Sequence, residues 1–362
     1  MYIRKLRPLA PLAALAVLEV AAMPAAFADP GHDGHVRVVH PGESIQAAVD
    51  AARPGDTVMI APGHYQESVR IGVSGLTLSG TGPATVISPA PKSTTKAAAA
   101  DDCAAAGHGI CVTGTPAEPV SRVSIRALTV SGFAKDGIHA NRTDRMSVSG
   151  VRVEHNGQQG ISQERSTRGR LTGNTSRDNG QSGIFLANMT DSEGGAIDTR
   201  GAVIAHNRLT GNRIGVVIRR ARELSVEDNA IHDNCGGVFV VGDESTPRAG
   251  SLDVHDNQVE HNNRYCPASG RLPYIQGTGI LLTGAEDTRV TDNQVRGNTG
   301  ASPMSGGVVL FKSVVGAPNT RNVIRDNEVV DNRPADLADP ERSPGNVLTG
   351  NRCGRSLPEG WC

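Results

Sequence analysis

Aromatic residues are scarce in this 362-residue chain: one Trp, four Tyr and five Phe make up 3% of it. That scarcity weakens any reading in which sugars stack on aromatic platforms. Neither sign of charge is in excess, with 36 Lys and Arg against 37 Asp and Glu. Such a balance leaves no electrostatic footprint for nucleic acid. Beyond the N-terminal stretch, no apolar run is long enough to span a bilayer. The cysteines form no CxxC and have no close His partners, which argues against a zinc site.

What is present is repetition. Asparagines five residues apart recur as Asn174/Asn179, Asn207/Asn212, Asn229/Asn234, Asn257/Asn262, Asn293/Asn298, Asn327/Asn332 and Asn346/Asn351. Between them stand tetrads of Gly, aliphatic, any residue and a fourth that is usually aliphatic. They begin at Gly109, Gly137, Gly160, Gly183, Gly215, Gly237, Gly279 and Gly307, and their shortest spacings are 22 and 23 residues. A period in that range signals a solenoid. Alternating aliphatics within each segment put one face of a short strand inward, and left-handed backbone is expected at the Asn and Gly positions between segments. Asn at one corner of successive coils can stack, each amide donating to one neighbour and accepting from the other, which predicts a structural role for all of these residues.

The first 28 residues read as a secretory signal peptide: Arg4, Lys5 and Arg7, a Leu/Ala run, then Ala26-Phe27-Ala28 before Asp29. Cleavage after Ala28 predicts a secreted protein with no stable membrane anchor, and leaves 33 basic against 36 acidic residues. Residues 29–37 read as a flexible leader and 38–362 as the solenoid. All six cysteines lie in the exported part, where an even number fits disulfides. The expected pairs are Cys103 with Cys111, Cys235 with Cys266, and Cys353 with Cys362. Residues 44–52 have the apolar spacing of a short amphipathic helix, with Ser44 as N-cap, that should plug the N-terminal end. Trp361 is the candidate cap at the other end.

The segment from Val38 to Ser88, VVHPGESIQAAVDAARPGDTVMIAPGHYQESVRIGVSGLTLSGTGPATVIS, followed by the Asn and Gly repeats, resembles the right-handed parallel β-helix proteins. Pectate-lyase-like enzymes and periplasmic NosD-type proteins belong to that group. The resemblance implies an all-β, right-handed parallel β-helix solenoid of about ten coils with a short N-terminal capping helix. Function on this scaffold has to be argued from the site.

Three departures from the period mark inserts at 189–200, 263–276 and 299–305, which should gather on one side and wall a groove. The third tetrad residue should point outward, giving the column His139, Ser162, Phe185, Val217, Phe239, Leu281 and Val309. From Phe185 onward it is apolar, so inserts, a ligand or a second subunit should cover it. Farther on comes a polar column at the turn: Asn141 and Arg142, Glu164 and Arg165, Asn188, Arg219 and Arg220, and Lys312. A row of Arg, Glu, His and Asn suits an acidic polysaccharide, since arginine grips a carboxylate or sulfate through two hydrogen bonds. His139, Glu164, Arg219 and Arg220 are the candidate catalytic residues. Asn141, Arg142, Arg165, Asn188, Lys312 and the insert pair Tyr265 and Tyr274 are candidate substrate contacts.

The enzymes of the group also differ from this chain. Polygalacturonases carry NTD, paired-aspartate, GHG and RIK segments, to which only Asp136-Gly137-Ile138 bears a faint likeness. The DPHD signature of alginate epimerases is absent. Calcium is possible, as in pectate lyases, but Asp191, Glu193 and Asp198 share one insert without recognisable ligand spacing. His32, His35 and His40 resemble a loose metal-binding tract like those linked with copper in NosD-type proteins. The sequence therefore leaves two classes open: a lyase, epimerase or hydrolase of an acidic glycan, or a non-catalytic module. The latter would be a carbohydrate-binding or envelope scaffold, or a NosD-like assembly factor.

Overall fold

Each coil of the chain contributes one short strand to each of three sheets, as a computed structural model describes for residues 34–91, 103–188, 195–270 and 272–362. The signal peptide, His32, most of the leader and residues 189–194 of the first insert lie outside the described residues. The first sheet has twelve strands, from Val36–Val39 to Val347–Thr349. The second has eleven, from Gly63–Gln66 to Arg352–Cys353, and the third eleven, from Val69–Ile71 to Ser356–Leu357. Neighbouring strands pair in parallel one coil apart, as Ile138–Asn141 does with Ile161–Glu164. The coils outnumber the ten expected because those before Asn156 lack the paired asparagines that mark the period.

Alternation places one side chain in two inside. In the first sheet Val58, Leu78, Ile125, Val148, Leu171 and Ile204 stack in register, each at most 1% exposed. Burying each such side chain contributes roughly 1.5–3 kcal/mol.

Two asparagine ladders run along the corners flanking the second sheet. One links Asn156, Asn179, Asn212, Asn234, Asn262, Asn298 and Asn332. The other links Asn174, Asn207, Asn229, Asn257, Asn293, Asn327 and Asn351. At each step the backbone N–H and Nδ2 of one Asn both donate to Oδ1 of the next, as Asn234 does to Asn262 at 3.2 and 2.9 Å. Nδ2 also donates to a carbonyl of the preceding coil, for Asn234 that of Leu209 at 3.0 Å.

The ladders correct two expectations. Left-handed backbone falls on the residue before each Asn, not on the Asn: His155, Asp178, His206, Asp233 and Asp331 have φ between 56° and 62° except Asp178 at 55°. Placing the turn there leaves the Asn in ordinary conformation, with its amide aimed along the stack. Asn346 and Asn351 are offset by one corner, since Asn346 stacks on Asn322 and Asn351 on Asn327. The ladder through Asn332 instead ends on Asp336, whose Oδ1 accepts Asn332 N and Nδ2 at 2.9 and 3.0 Å.

The short helix forms at Ile45–Asp50, with Ile45 and Val49 buried and Ser44 Oγ accepting from Ala47 N. Glu67 adds acceptors for Ile45 N and Gln46 N at 2.7 and 3.1 Å, a capping role the sequence did not suggest. The first strand begins at Val36, inside the stretch read as leader, because the alternation Val36-Arg37-Val38-Val39 already pairs with Thr57–Ile60. Trp361 is partly buried against the core. All three expected cysteine pairs are joined: Cys103–Cys111, Cys235–Cys266 and Cys353–Cys362.

Candidate functional site

The residue before each tetrad glycine forms a column of its own on the third sheet: His108, Asp136, Gln159 and Ser182. Each of the first three side chains accepts the backbone N–H of the next coil. Asp136 N donates to His108 Nδ1 at 3.2 Å, Gln159 N to Asp136 Oδ1 at 3.0 Å, and Ser182 N to Gln159 Oε1 at 2.8 Å. The glycines that follow cannot be replaced without movement. A Cβ on Gly137 would stand 2.8 Å from Asn156 Nδ2 and 2.9 Å from Gly160 O.

His139 rises from the strand Ile138–Asn141 beside this column. Its Nδ1 lies 3.2 Å from Asp136 Oδ2 and 2.9 Å from Ser162 Oγ, while Ser162 Oγ donates to the same Oδ2 at 2.7 Å. The Ser162 proton is thus committed to Asp136, so Nδ1–H of His139 is the donor and Nε2 is the basic nitrogen. His108 stacks on His139 with ring centroids 4.4 Å apart and planes 17° apart. Because His108 Nδ1 accepts from Asp136 N, its proton sits on Nε2, and its 3.5 Å approach to Asp136 Oδ2 is not an ion pair.

Protonation follows from these contacts. Burial pushes His108 down to about 4, opposed by the charge of Asp136. Burial works to raise Asp136, but the bonds from His139 and Ser162 outweigh it and the carboxyl is held below the ordinary range. Glu164, one coil on, is raised by burial, against the attraction of His139 and with the repulsion of Asp136. Two neighbouring carboxyls are thereby driven toward opposite protonation states.

A groove of about 570 Å³ crosses the third sheet. Asp136, Gln159, Glu164, Gln181 and Ser182 line one end, Arg219 and Arg220 its middle, and Phe239, Leu281, Met304 and Phe311 the other end. His139 is not among the lining side chains and connects to the groove through Asp136. Arg220, in left-handed backbone, donates Nε to Asp243 Oδ2.

The apolar outward column is covered by inserts. Val217, Phe239, Leu281 and Val309 form a second apolar cluster with Ile275 and Met304 from the inserts 263–276 and 299–305, while Phe185 is only partly buried beside it. The Cys235–Cys266 bridge fixes the larger insert to the coil beneath, and Arg213 Nη1 donates to Pro267 O at 2.7 Å.

Of the sequence-predicted residues, the structure brings Glu164, Arg219 and Arg220 together on the groove, with His139 behind its polar end. The others stand elsewhere. Register shows the turn column to be two columns: Asn141, Glu164 and Arg219 share one, while Arg142, Arg165, Asn188, Arg220 and Lys312 lie one residue on, where the chain turns. Of that second column only Arg220 reaches the groove wall. Asn188 Nδ2 donates to Gly195 O at 2.8 Å, and Lys312 pairs with Glu341 at 3.3 Å. Tyr265 and Tyr274 pack at 5.6 Å, with Tyr265 63% exposed and Tyr274 donating to Ala301 O, so this pair ties two inserts together instead of lining the groove. Asn141, too, is absent from the lining. In the first insert, Asp191 and Glu193 lie outside the described residues, and Asp198 belongs to the strand Ile197–Ala205. Sequence reasoning missed His108, the role of Asp136, and the rim at Asp243, Glu244 and Ser313–Val315. The column before each glycine was the available signal.

These parallel sheets and stacked corners define the class. Residues 188–313 match the family model for the right handed beta helix region, and the protein is a right-handed parallel β-helix. Residues 52–246, more than half of the chain, match the family described as periplasmic copper-binding protein (NosD), and the chain belongs to that family. No curated protein matches the sequence. Among solved structures it is similar to the A-module of the Azotobacter vinelandii mannuronan C-5 epimerase AlgE6, with TM-score 0.59 and 18% identity over 85% of this chain and 88% of that one. A DFA-IIIase from Arthrobacter chlorophenolicus A6 gives TM-score 0.59 and 16% identity over 84% and 76%. The Dettilon tailspike protein gives 0.50 and 14% over 88% and 68%. At these identities the likeness is one of fold.

The family description implies copper. Among the described residues, His108, Asp136 and His139 form the one trio whose ligand atoms lie within 4.8 Å of one another. Imidazole and carboxylate suit copper chemically. An imidazole lone pair lies in the ring plane, however, and two rings stacked 17° apart do not converge on one point. His108 Nδ1 is moreover occupied by Asp136 N–H. As arranged, the trio does not fit an ion held by both rings. His35 and His40 are exposed.

Proposed function

We propose that this chain is an exported β-helix protein that holds an acidic polysaccharide in the groove of its third sheet and acts on it as a lyase or epimerase. One observation carries the reading: an imidazole oriented by the groove carboxylate Asp136, and a groove carboxyl whose pKa burial raises, stand on adjacent coils at the polar end. Both reactions begin when a base removes the proton next to a uronate carboxylate. Where the sugar runs past Asp136 at the polar end of the groove onto the strand Ile138–Asn141, His139 Nε2 takes that proton, and Arg219 balances the charge that develops on the carboxylate. Glu164 then gives its proton either to the departing glycosidic oxygen or to the opposite face of the sugar carbon. Epimerase, DFA-IIIase and tailspike relatives in fold support a carbohydrate ligand. Three disulfides and the family's periplasmic description support an oxidising compartment outside the cytoplasm.

The test is incubation with a panel of uronans, with and without calcium. Ultraviolet absorbance reads new unsaturated ends and proton NMR reads epimerised residues. Arg219→Ala is expected to abolish the signal, and Arg220→Ala, which also breaks the ion pair with Asp243, to weaken it. Family membership favours a second reading, a non-catalytic envelope assembly factor. Silence of both readouts on every glycan, with intact binding, would select that reading.

A further inference from the structure

The groove changes character along its length. Its floor is polar on the coil of Glu164, mixed on that of Val217 and Arg219, and apolar on the coils of Phe239 and Val241 and of Phe311. From the Glu164 coil to the Phe311 coil is five strand spacings, about 24 Å. Burial of the inner apolar cluster is already achieved by the inserts, with Phe239 and Leu281 each 1% exposed. The rim asks for a different explanation. Leu272, Val314 and Val315 line the same groove and are 38%, 65% and 37% exposed. Partly buried Phe185 and Phe311 also face it. Beside the polar rim residues Asp243, Glu244 and Ser313, these side chains keep water-exposed hydrocarbon that folding alone does not require.

We infer that the ligand is amphipathic: a glycan whose sugar sits at the Glu164 end and whose hydrophobic substituent, an alkyl or acyl chain, lies over the partly buried Phe185 and Phe311 beneath Leu272, Val314 and Val315. This inference rests on the sugar site proposed above and adds a second subsite to it. A bare polysaccharide would leave the apolar half of the groove unmatched. The volume, about 570 Å³, lies within the range of pockets that enclose a small amphiphile.

Methyl and octyl β-D-glucuronide, titrated below micelle formation into the full secreted protein by calorimetry, test the subsite. The octyl compound is expected to bind at least about ten-fold more tightly. Val314→Asp with Val315→Asp, both at exposed positions, should erase that gain while leaving methyl glucuronide binding unchanged. Equal affinity of the two compounds overturns the inference, as does an octyl gain that the rim variants leave intact. Glycan turnover by the unsubstituted protein, measured beside the titrations, separates the two proposals. An octyl gain in an unsubstituted protein inactive on every glycan would sink the sugar chemistry and keep the apolar subsite. Turnover on uronans with no octyl gain would do the reverse.

Discussion

His108 and His139, from adjacent coils, stack at 4.4 Å with both Nδ1 atoms within 3.5 Å of a single oxygen, Asp136 Oδ2. Only His139 donates to it; His108 is turned by the backbone of Asp136 into the opposite tautomer. The pair is therefore asymmetric, with one ring supplying basicity and the other a wall against which it rests.

Asp136 is then a positioning residue that sets the tautomer and orientation of His139. Asp136→Asn preserves shape but can present an N–H where an acceptor is needed. Turnover on the active glycan is expected to fall by about 10²–10⁴-fold, with KM little changed. A rise in KM alone would assign Asp136 to substrate binding.

The depressed pKa of His108, about 4 against an ordinary 6.5, links stability to pH. Between those values the unfolded chain binds this proton more readily than the folded chain, so stability is full above 6.5 and falls as pH drops toward 4. Across the window the loss is on the order of 2–3 kcal/mol. Glu164, raised by burial, works in the opposite sense, so the comparison belongs in a Glu164→Gln background. There His108→Gln is expected to flatten the urea-midpoint profile in this range.

The ladders predict a gradient of sensitivity. Asn234 is fully buried, accepts from Asn212 N and Nδ2, and donates to Asn262, Leu209 and His232. Asn234→Ala strands several of these groups and should cost about 2–4 kcal/mol. Asn351, at the far end and within reach of water, should cost about 1 kcal/mol when truncated. Urea melts with unchanged m-values measure both; equal losses would mean the stack does not act as a connected unit.

Removing the bridge over the groove should loosen the insert more than the solenoid. Cys235→Ser with Cys266→Ser is expected to lower stability by about 3 kcal/mol, and to expose residues 263–276 to limited proteolysis while the parallel sheets keep their circular dichroism.

The corner asparagines were legible because their spacing is local and every coil repeats it. The left-handed turn was misplaced because Asn itself tolerates that conformation, so sequence alone does not say whether the Asn or the Asp, His or Gly before it makes the turn. Glu164, Arg219 and Arg220 were found by counting from the tetrads. Asn188 and Lys312 share the column of Arg220 but not its place in the groove, because Asn188 donates to Gly195 O and Lys312 pairs with Glu341. His108 was missed since its partner, Asp136, lies 28 residues away across an irregular coil.

The asparagine stack also has a direction. Between asparagines every Nδ2 donates to the Oδ1 on its C-terminal side, so the run needs a final acceptor. Asp336 is that group: one oxygen takes both donors of Asn332 and the other takes Gly354 N and Arg355 N at 2.9 and 3.1 Å. The solenoid is thus open to growth in its middle, where a copied coil meets a donor on one side and an acceptor on the other. This ladder stops at Asp336, where a carboxylate has no proton to pass on, while its neighbour runs one coil farther to Asn351.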